Sequence, residues 1–271
     1  MATVISLASS KGGSGKTTTA LNLAVALAET GRQVLLVDLD PQGGVGLSLA
    51  KGEREWTGLA ELLQGTIDLD SSIVKTKVET LALLPRGRLD AADALAFEQF
   101  IASSGKLQEI VEQQRAQRDF VLLDCPSGLG AVPRAAFAAS DFVLVPLQAE
   151  PLALRSIGQV LRVIAEVRRL ENPRVALLGV LPTMVDLRQD TALNVMGAAW
   201  RELASVFDTC IPRAGSFARA SELGIPVSFL TERTPPEVRR FRALAIEIET
   251  LLDSLAPASG GHDATVPRRL V

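Results

Sequence analysis

The residues with the clearest chemistry stand together near the start of the chain, in Ser9-Ser10-Lys11-Gly12-Gly13-Ser14-Gly15-Lys16-Thr17-Thr18. Glycines at this density let backbone N–H groups close around phosphate oxygens, and a helix starting just after them adds partial positive charge. Lys16 would reach the β- and γ-phosphates of a nucleotide, and the Thr17 hydroxyl would hold Mg2+. The loop departs from the common GxxxxGK[ST] pattern: Ser10 stands where the first glycine is usual, and a second lysine, Lys11, stands beside it. A cation in the loop itself can approach a phosphate that Lys16 already serves, in its own subunit or in a facing one.

Three carboxylates have matching placements. Asp38 and Asp40 follow the apolar run Val34-Leu35-Leu36-Val37 and lead into Pro41-Gln42-Gly43-Gly44. Asp124 closes Phe120-Val121-Leu122-Leu123 and precedes Cys125-Pro126-Ser127, a Walker B arrangement. Carboxylates at the ends of strands beside a phosphate loop sit where metal and attacking water are organised. Asp40 is the candidate to orient or deprotonate the water, Asp38 to support the Mg2+ shell, and Asp124 to hold Mg2+ through a water. Cys125 reads as a small buried residue, since no histidine is available to activate it. The only histidine, His262, lies in a polar tail, so histidine-based acid–base or metal chemistry is excluded.

Positioning these groups requires strands that end beside one another. Val4–Ala8 reads as the strand before the loop and Ala20–Ala28 as the helix after it. The runs Gln33–Asp38, Leu81–Pro85, Asp119–Asp124, Phe142–Pro146 and Val175–Leu181 are further strands, and a last short one ends at Cys210-Ile211-Pro212-Arg213. Helices are expected over 56–63, in two pieces over 90–117 broken near Ser103-Ser104-Gly105, and over 151–170, 189–206 and 235–255. Continuous rather than alternating apolar strands, separated by helices, indicate an α/β fold: a single doubly wound, mostly parallel sheet with helices on both faces. The glycine-rich stretch Gly43–Gly46 is expected to move with nucleotide state. One domain is expected over residues 1–255, followed by a disordered tail over 256–271.

The 271 residues are 47% hydrophobic and 22% charged, the composition of a packed globular protein. No apolar run approaches the ~20 residues needed to span a bilayer, and no signal peptide is recognisable at the N-terminus. Cys125 and Cys210 have no metal-ligand spacing and suggest a reduced cytosolic compartment. The net charge of −3 is uneven: residues 1–150 hold 13 basic and 18 acidic side chains, whereas 151–256 hold 13 and 12, every base there being arginine.

Taken in order, Lys11-Gly12-Gly13-Ser14-Gly15-Lys16-Thr17-Thr18, Asp38-Leu39-Asp40-Pro41-Gln42-Gly43, Leu123-Asp124-Cys125-Pro126, Pro146-Leu147-Gln148-Ala149-Glu150 and Ile211-Pro212-Arg213 resemble the ParA/MinD class of deviant-Walker P-loop ATPases. The resemblance runs to about residue 255. It implies slow, partner-stimulated hydrolysis of ATP with Mg2+, and an ATP-sandwich homodimer in which Lys11 of each subunit contacts the other's nucleotide. By position it implies that Met184, Pro212 and Arg213 lie near the adenine and that Gln148 and Glu150 lie near the dimer interface. In the ParA branch it further implies a nucleoid-associated cytoplasmic protein that binds double-stranded DNA without sequence preference. Arg188, Arg213 and Arg219 are the implied DNA contacts, and a ParB-like or cargo-adaptor protein is the implied stimulator of a cycle that positions a plasmid, chromosome or protein assembly.

Two departures bear on the site. Gly44-Val45-Gly46 stands where the family often has Asn-Ala-Thr, and Ser127 stands where a second proline is common. No helix-turn-helix region precedes the phosphate loop, so sequence-specific autorepression is not expected. The C-terminal tail lacks a basic amphipathic helix, which argues against membrane targeting. The competing reading from another class is a metabolic P-loop ligase of the dethiobiotin-synthetase type acting on a small molecule.

Overall fold

In the computed structural model, which describes residues 1–49, 56–230 and 234–255, the apolar runs become the strands of one seven-stranded sheet. The expected tail, with His262, lies outside the described residues. The chain runs β1 (Thr3–Leu7), α1 (Lys16–Glu29), β2 (Val34–Asp38), α2 (Gly44–Leu49), α3 (Leu59–Leu63), α4 (Leu69–Ser72), β3 (Val74–Lys75) and β4 (Leu81–Leu84). It continues through α5 (Ala94–Ser103), α6 (Lys106–Gln114), β5 (Phe120–Asp124), α7 (Ala131–Ala139), β6 (Phe142–Gln148) and α8 (Pro151–Leu170). The last elements are β7 (Ala176–Thr183), α9 (Asp190–Glu202), α10 (Gly215–Leu223) and α11 (Pro236–Leu255).

The strand order is β3-β4-β2-β5-β1-β6-β7. Every neighbouring pair is parallel except β3 with β4 at the edge. The central strands are largely apolar because both faces are covered, with Ser6, Asp38 and Asp124 as buried exceptions. Val121 and Leu123 of β5 join one buried cluster with Phe97, Phe137 and Ile157 from α5, α7 and α8. Phe120 and Leu122 of the same strand join another with Leu23 and Leu27 of α1 and Phe241 and Leu244 of α11. This is the doubly wound sheet that the continuous strands imply.

Some local expectations change. The helix anticipated from Trp56 begins at Leu59, after Gly58. The one anticipated to Val206 ends at Glu202. The expected strand ending at Arg213 makes no ladder; the chain touches β7 and the loop after it by isolated bridges, Val180 to Val206 and Val185 to Pro212. Pro182 offers this segment no N–H, and between the two bridges the Asp208 and Thr209 N–H groups donate instead to the Glu247 carboxylate (2.7 and 3.1 Å). Phe207 packs so tightly on Gly179 that a Cβ there would lie 2.8 Å from the ring. The four-residue α4 and the two-residue β3 are too brief to be read from periodicity, and the nine-residue α7 and α10 are further elements beyond those expected.

Candidate nucleotide site

Strand register brings the chemistry together. Leu7, Asp38 and Asp124 are cross-strand partners through β5, so β1, β2 and β5 end at one level. The loop after β1 therefore opens beside both carboxylates, at the C-terminal edge where α/β sheets bind ligands. Gly13 and Gly15 adopt φ of 74° and 84°, which glycine tolerates and which let the chain curl back into α1 at Lys16.

Lys16 is buried, and its ammonium donates to Ser9 Oγ (3.1 Å), Ser127 Oγ (3.0 Å) and the Lys11 carbonyl (3.4 Å). Burial lowers its pKa, opposed chiefly by Asp124. Ser9 Oγ also donates to the Lys11 carbonyl (2.7 Å), and Thr183 Oγ1 at the end of β7 donates to the Ser14 carbonyl (2.8 Å). Lys11 itself is exposed.

Asp38 is fully buried and accepts backbone N–H groups from Asp40 (3.2 Å) and Val45 (3.1 Å). Burial dominates even so, pushing its carboxyl up to about 7. Asp124 is also fully buried, with no well-formed hydrogen bond to either oxygen among the described residues, although the Thr17 hydroxyl stands close enough to pull its carboxyl down. Burial and then the adjacent Asp38 raise it well above the usual carboxylate range. An orphaned, buried carboxylate beside a second one fits a divalent cation. No cluster of three or more His, Cys, Asp or Glu side chains suited to a metal occurs among the described residues. Mg2+ binds through one or two carboxylates together with substrate phosphates, and Asp38 and Asp124 are the two carboxylates this site offers. Thr17 lies alongside: a Cβ on Gly44 would stand 3.0 Å from its Oγ1.

Asp40 lies at the mouth, half-buried, with Gln42 N–H donating to its Oδ1 (2.9 Å) and Gly43 N–H to its carbonyl (2.8 Å). Gly43 turns at φ 66°, and α2 starts at the next residue. The segment expected to move is thus partly a short helix whose start is tied to Asp38.

The other anticipated residues divide into groups. Met184 projects toward the loop, its Cε 3.8 Å from where a Cβ on Gly15 would be, and it holds an unusual positive φ of 52°. The Val185–Pro212 bridge and the Arg213 N–H to Val185 carbonyl bond (3.0 Å) bring Met184, Pro212 and Arg213 into one wall. Arg188 begins three residues after Val185, exposed but paired with Asp186 through Nε and Nη2 (both 2.9 Å). That contact holds the Asp186 carboxyl down at about 2. Arg219, on α10, is exposed. Gln148 Nε2 donates to Glu150 Oε1 (2.8 Å) beside the phosphate loop, and both line a small cleft with Lys11. Cys125 is buried, as expected, and burial pushes its thiol up.

Two contacts escaped sequence reasoning. Ser127, treated as a missing proline, supplies a hydroxyl to Lys16; its place just after Asp124-Cys125-Pro126, in the loop that follows β5, was the available signal. Arg86, after β4, donates from Nη1 to the Pro41 carbonyl (2.6 Å), beside Asp40. No motif pointed to it, because β4's position next to β2 emerges only from the sheet order.

A family model described as an AAA domain matches residues 2–177. Soj from Thermus thermophilus, named a chromosome-partitioning ATPase, is 39% identical over 245 residues, covering 90% of this chain and 94% of that protein. ParA from Caulobacter vibrioides, named a chromosome partitioning protein, is 37% identical over 229 residues, 83% of this chain and 85% of that one. Among solved structures, one described as cobyrinic acid a,c-diamide synthase from Mycobacterium smegmatis, with bound ADP and magnesium, superposes with a TM-score of 0.76 at 32% identity. It covers 94% of this chain and 96% of that one. With the match extending through both carboxylate strands and nearly the full length of its relatives, the chain belongs to the ParA/MinD family of P-loop ATPases.

Proposed function

We propose that this ATPase works as a ParA-type positioning protein: an ATP-sandwich dimer binds nucleoid DNA without sequence preference and releases it on partner-stimulated hydrolysis. The observation that carries the reading is the pairing of a buried lysine with an exposed one in a single phosphate loop, Lys16 inside and Lys11 outside. A cation facing outward from an already satisfied loop suits the nucleotide of a second subunit.

In this reading ATP is the substrate and Mg2+ the metal, with residues 1–255 as the ATPase domain. The N–H groups of residues 12–18 cradle the phosphates, and Lys16 exchanges its serine and carbonyl contacts for phosphate oxygens. Thr17, Asp38 and Asp124 hold Mg2+, which offsets charge on the phosphates and on the two buried carboxylates. Asp40 orients the attacking water and takes its proton as the terminal phosphate transfers to that water. Met184, Pro212 and Arg213 flank the adenine, while Gln148 and Glu150 face the second subunit. Arg188, Arg213 and Arg219 contact phosphates of DNA, with the Arg188–Asp186 pair opening first. The cycle belongs in the cytoplasm on the nucleoid, with a ParB-like or cargo-adaptor protein as stimulator and a plasmid, chromosome or protein assembly as cargo.

The test is light scattering of the protein with ATP, ADP or neither. ATP should drive the wild type, and more completely Asp40→Ala, to a dimer, while Lys11→Ala stays monomeric and folded. A Lys11→Ala protein that dimerises normally contradicts the sandwich.

The synthase name of the Mycobacterium smegmatis structure favours one other reading, a small-molecule ligase. Such an enzyme would turn over ATP only with an acceptor substrate and would ignore DNA.

A further inference from the structure

Arg86 does more than fill space beside the nucleotide site. Its backbone is fixed by α3: the Pro85 and Arg86 carbonyls accept the Leu59 and Ala60 N–H groups (both 2.8 Å). Glu61 tightens this junction by accepting from Gly58 N–H (2.8 Å) and Arg88 N–H (3.0 Å). From that base the half-buried guanidinium reaches across to β2's loop. Its Nε donates to the Gly87 carbonyl (3.1 Å) and its Nη1 to the Pro41 carbonyl (2.6 Å). The planar fork makes both bonds at once, which a lysine cannot reproduce. Gly43 packs directly on it, for a Cβ there would lie 3.1 Å from Nε and 3.2 Å from Cζ. The turn Asp40–Gly43, closed by Gly43 N–H on the Asp40 carbonyl, is therefore held by Asp38 on one side and by Arg86 on the other.

We infer that Arg86 is a positioning residue for hydrolysis: it clamps the Asp40–Gly43 turn through the Pro41 carbonyl and so sets where the Asp40 carboxylate stands. The inference rests on the reading of Asp40 as the group that handles the attacking water. Arg86 touches no reacting atom. Its contribution is orientation, and small misplacements of a catalytic group are costly in rate while leaving binding nearly intact.

The experiment measures ATP turnover, affinity for a slowly hydrolysed ATP analogue, and hydrogen–deuterium exchange in Arg86→Ala, Arg86→Lys and Asp40→Ala. Arg86→Ala should lose roughly ten- to hundred-fold in kcat while analogue affinity stays within about threefold. Exchange should accelerate over residues 40–46 and not in α1. Arg86→Lys, which keeps one of the two bonds, should fall between Arg86→Ala and wild type, and it decides the matter if the alanine variant does not fold. In an Asp40→Ala background the Arg86 change should add no further loss. Turnover within about twofold of wild type, affinity falling in step with kcat, or unchanged exchange at the turn would each overturn the clamp. Full-rate hydrolysis by Asp40→Ala alone would instead remove Asp40 from the chemistry, a separate outcome from the failure of Arg86.

Discussion

At the scale of single residues, the site is a set of charges kept out of water until a ligand arrives. The Lys16 amine is buried, where two serine hydroxyls and one carbonyl accept from it, and Asp124 opposes the lowering of its pKa by burial. Those acceptors are weaker partners than phosphate oxygens, so nucleotide should displace them. Lys16→Ala should weaken ATP binding by at least about a hundredfold, read by fluorescence titration with a labelled analogue. Asp40→Ala should retain that binding and lower hydrolysis by roughly 10²–10⁴, read by phosphate release. Cys125 gives an independent check on the packing around Asp124. Buried, with its thiol pushed up, it should resist iodoacetamide at pH 8 in the native protein while the half-buried Cys210 reacts. Mass spectrometry of the modified peptides distinguishes the two, and both should react in denaturant.

At the scale of elements, the register of β1, β2 and β5 does the positioning, and much of it was legible in advance. The runs read as ending at Ala8, Asp38 and Asp124 are mostly apolar and closed by turn residues. The strands and the two carboxylates at their ends could therefore be read from the order of residues, with the first strand ending one residue earlier, at Leu7. What could not be read is which strand lies beside which. That β4 flanks β2, and so brings Arg86 to Pro41, is a property of the crossovers and not of any local pattern. Ser127 differs, for it followed a recognised motif, yet its contact with Lys16 also depends on β5 lying next to β1. The segment before Arg213 failed as a strand because Pro182 of β7 has no N–H to give it and Glu247 takes the Asp208 and Thr209 N–H groups, a long-range contact that periodicity does not count. The junction of α3 with the β4 loop makes its own prediction. A Cβ on Gly58 would collide with the Pro85 carbonyl, which is backbone and cannot swing aside. Gly58→Ala should therefore destabilise the fold by about 1–3 kcal/mol, seen as a lower denaturation midpoint with unchanged slope.

At the scale of the whole molecule, the proposed DNA binding draws on an uneven charge. The first 150 residues carry 18 acidic against 13 basic side chains, whereas the bases of 151–256 are all arginine. Arg213 precedes α10, Arg219 lies on it, and Arg188 follows β7 in the loop bridged to Pro212, so the implied DNA contacts come from adjoining segments. A dimer doubles such a surface, and DNA affinity depends steeply on the number of phosphates engaged. The Asp186 partner of Arg188 makes that residue the informative one, because Asp186→Asn should tighten DNA binding where Arg188→Ala weakens it. The account stands most directly on binding of the protein to arbitrary duplex DNA at low and moderate salt, with ATP, ADP or no nucleotide. It predicts binding that needs ATP, persists longest in Asp40→Ala and falls steeply as salt rises. Intact ATP binding with no affinity for DNA in any nucleotide state would contradict it.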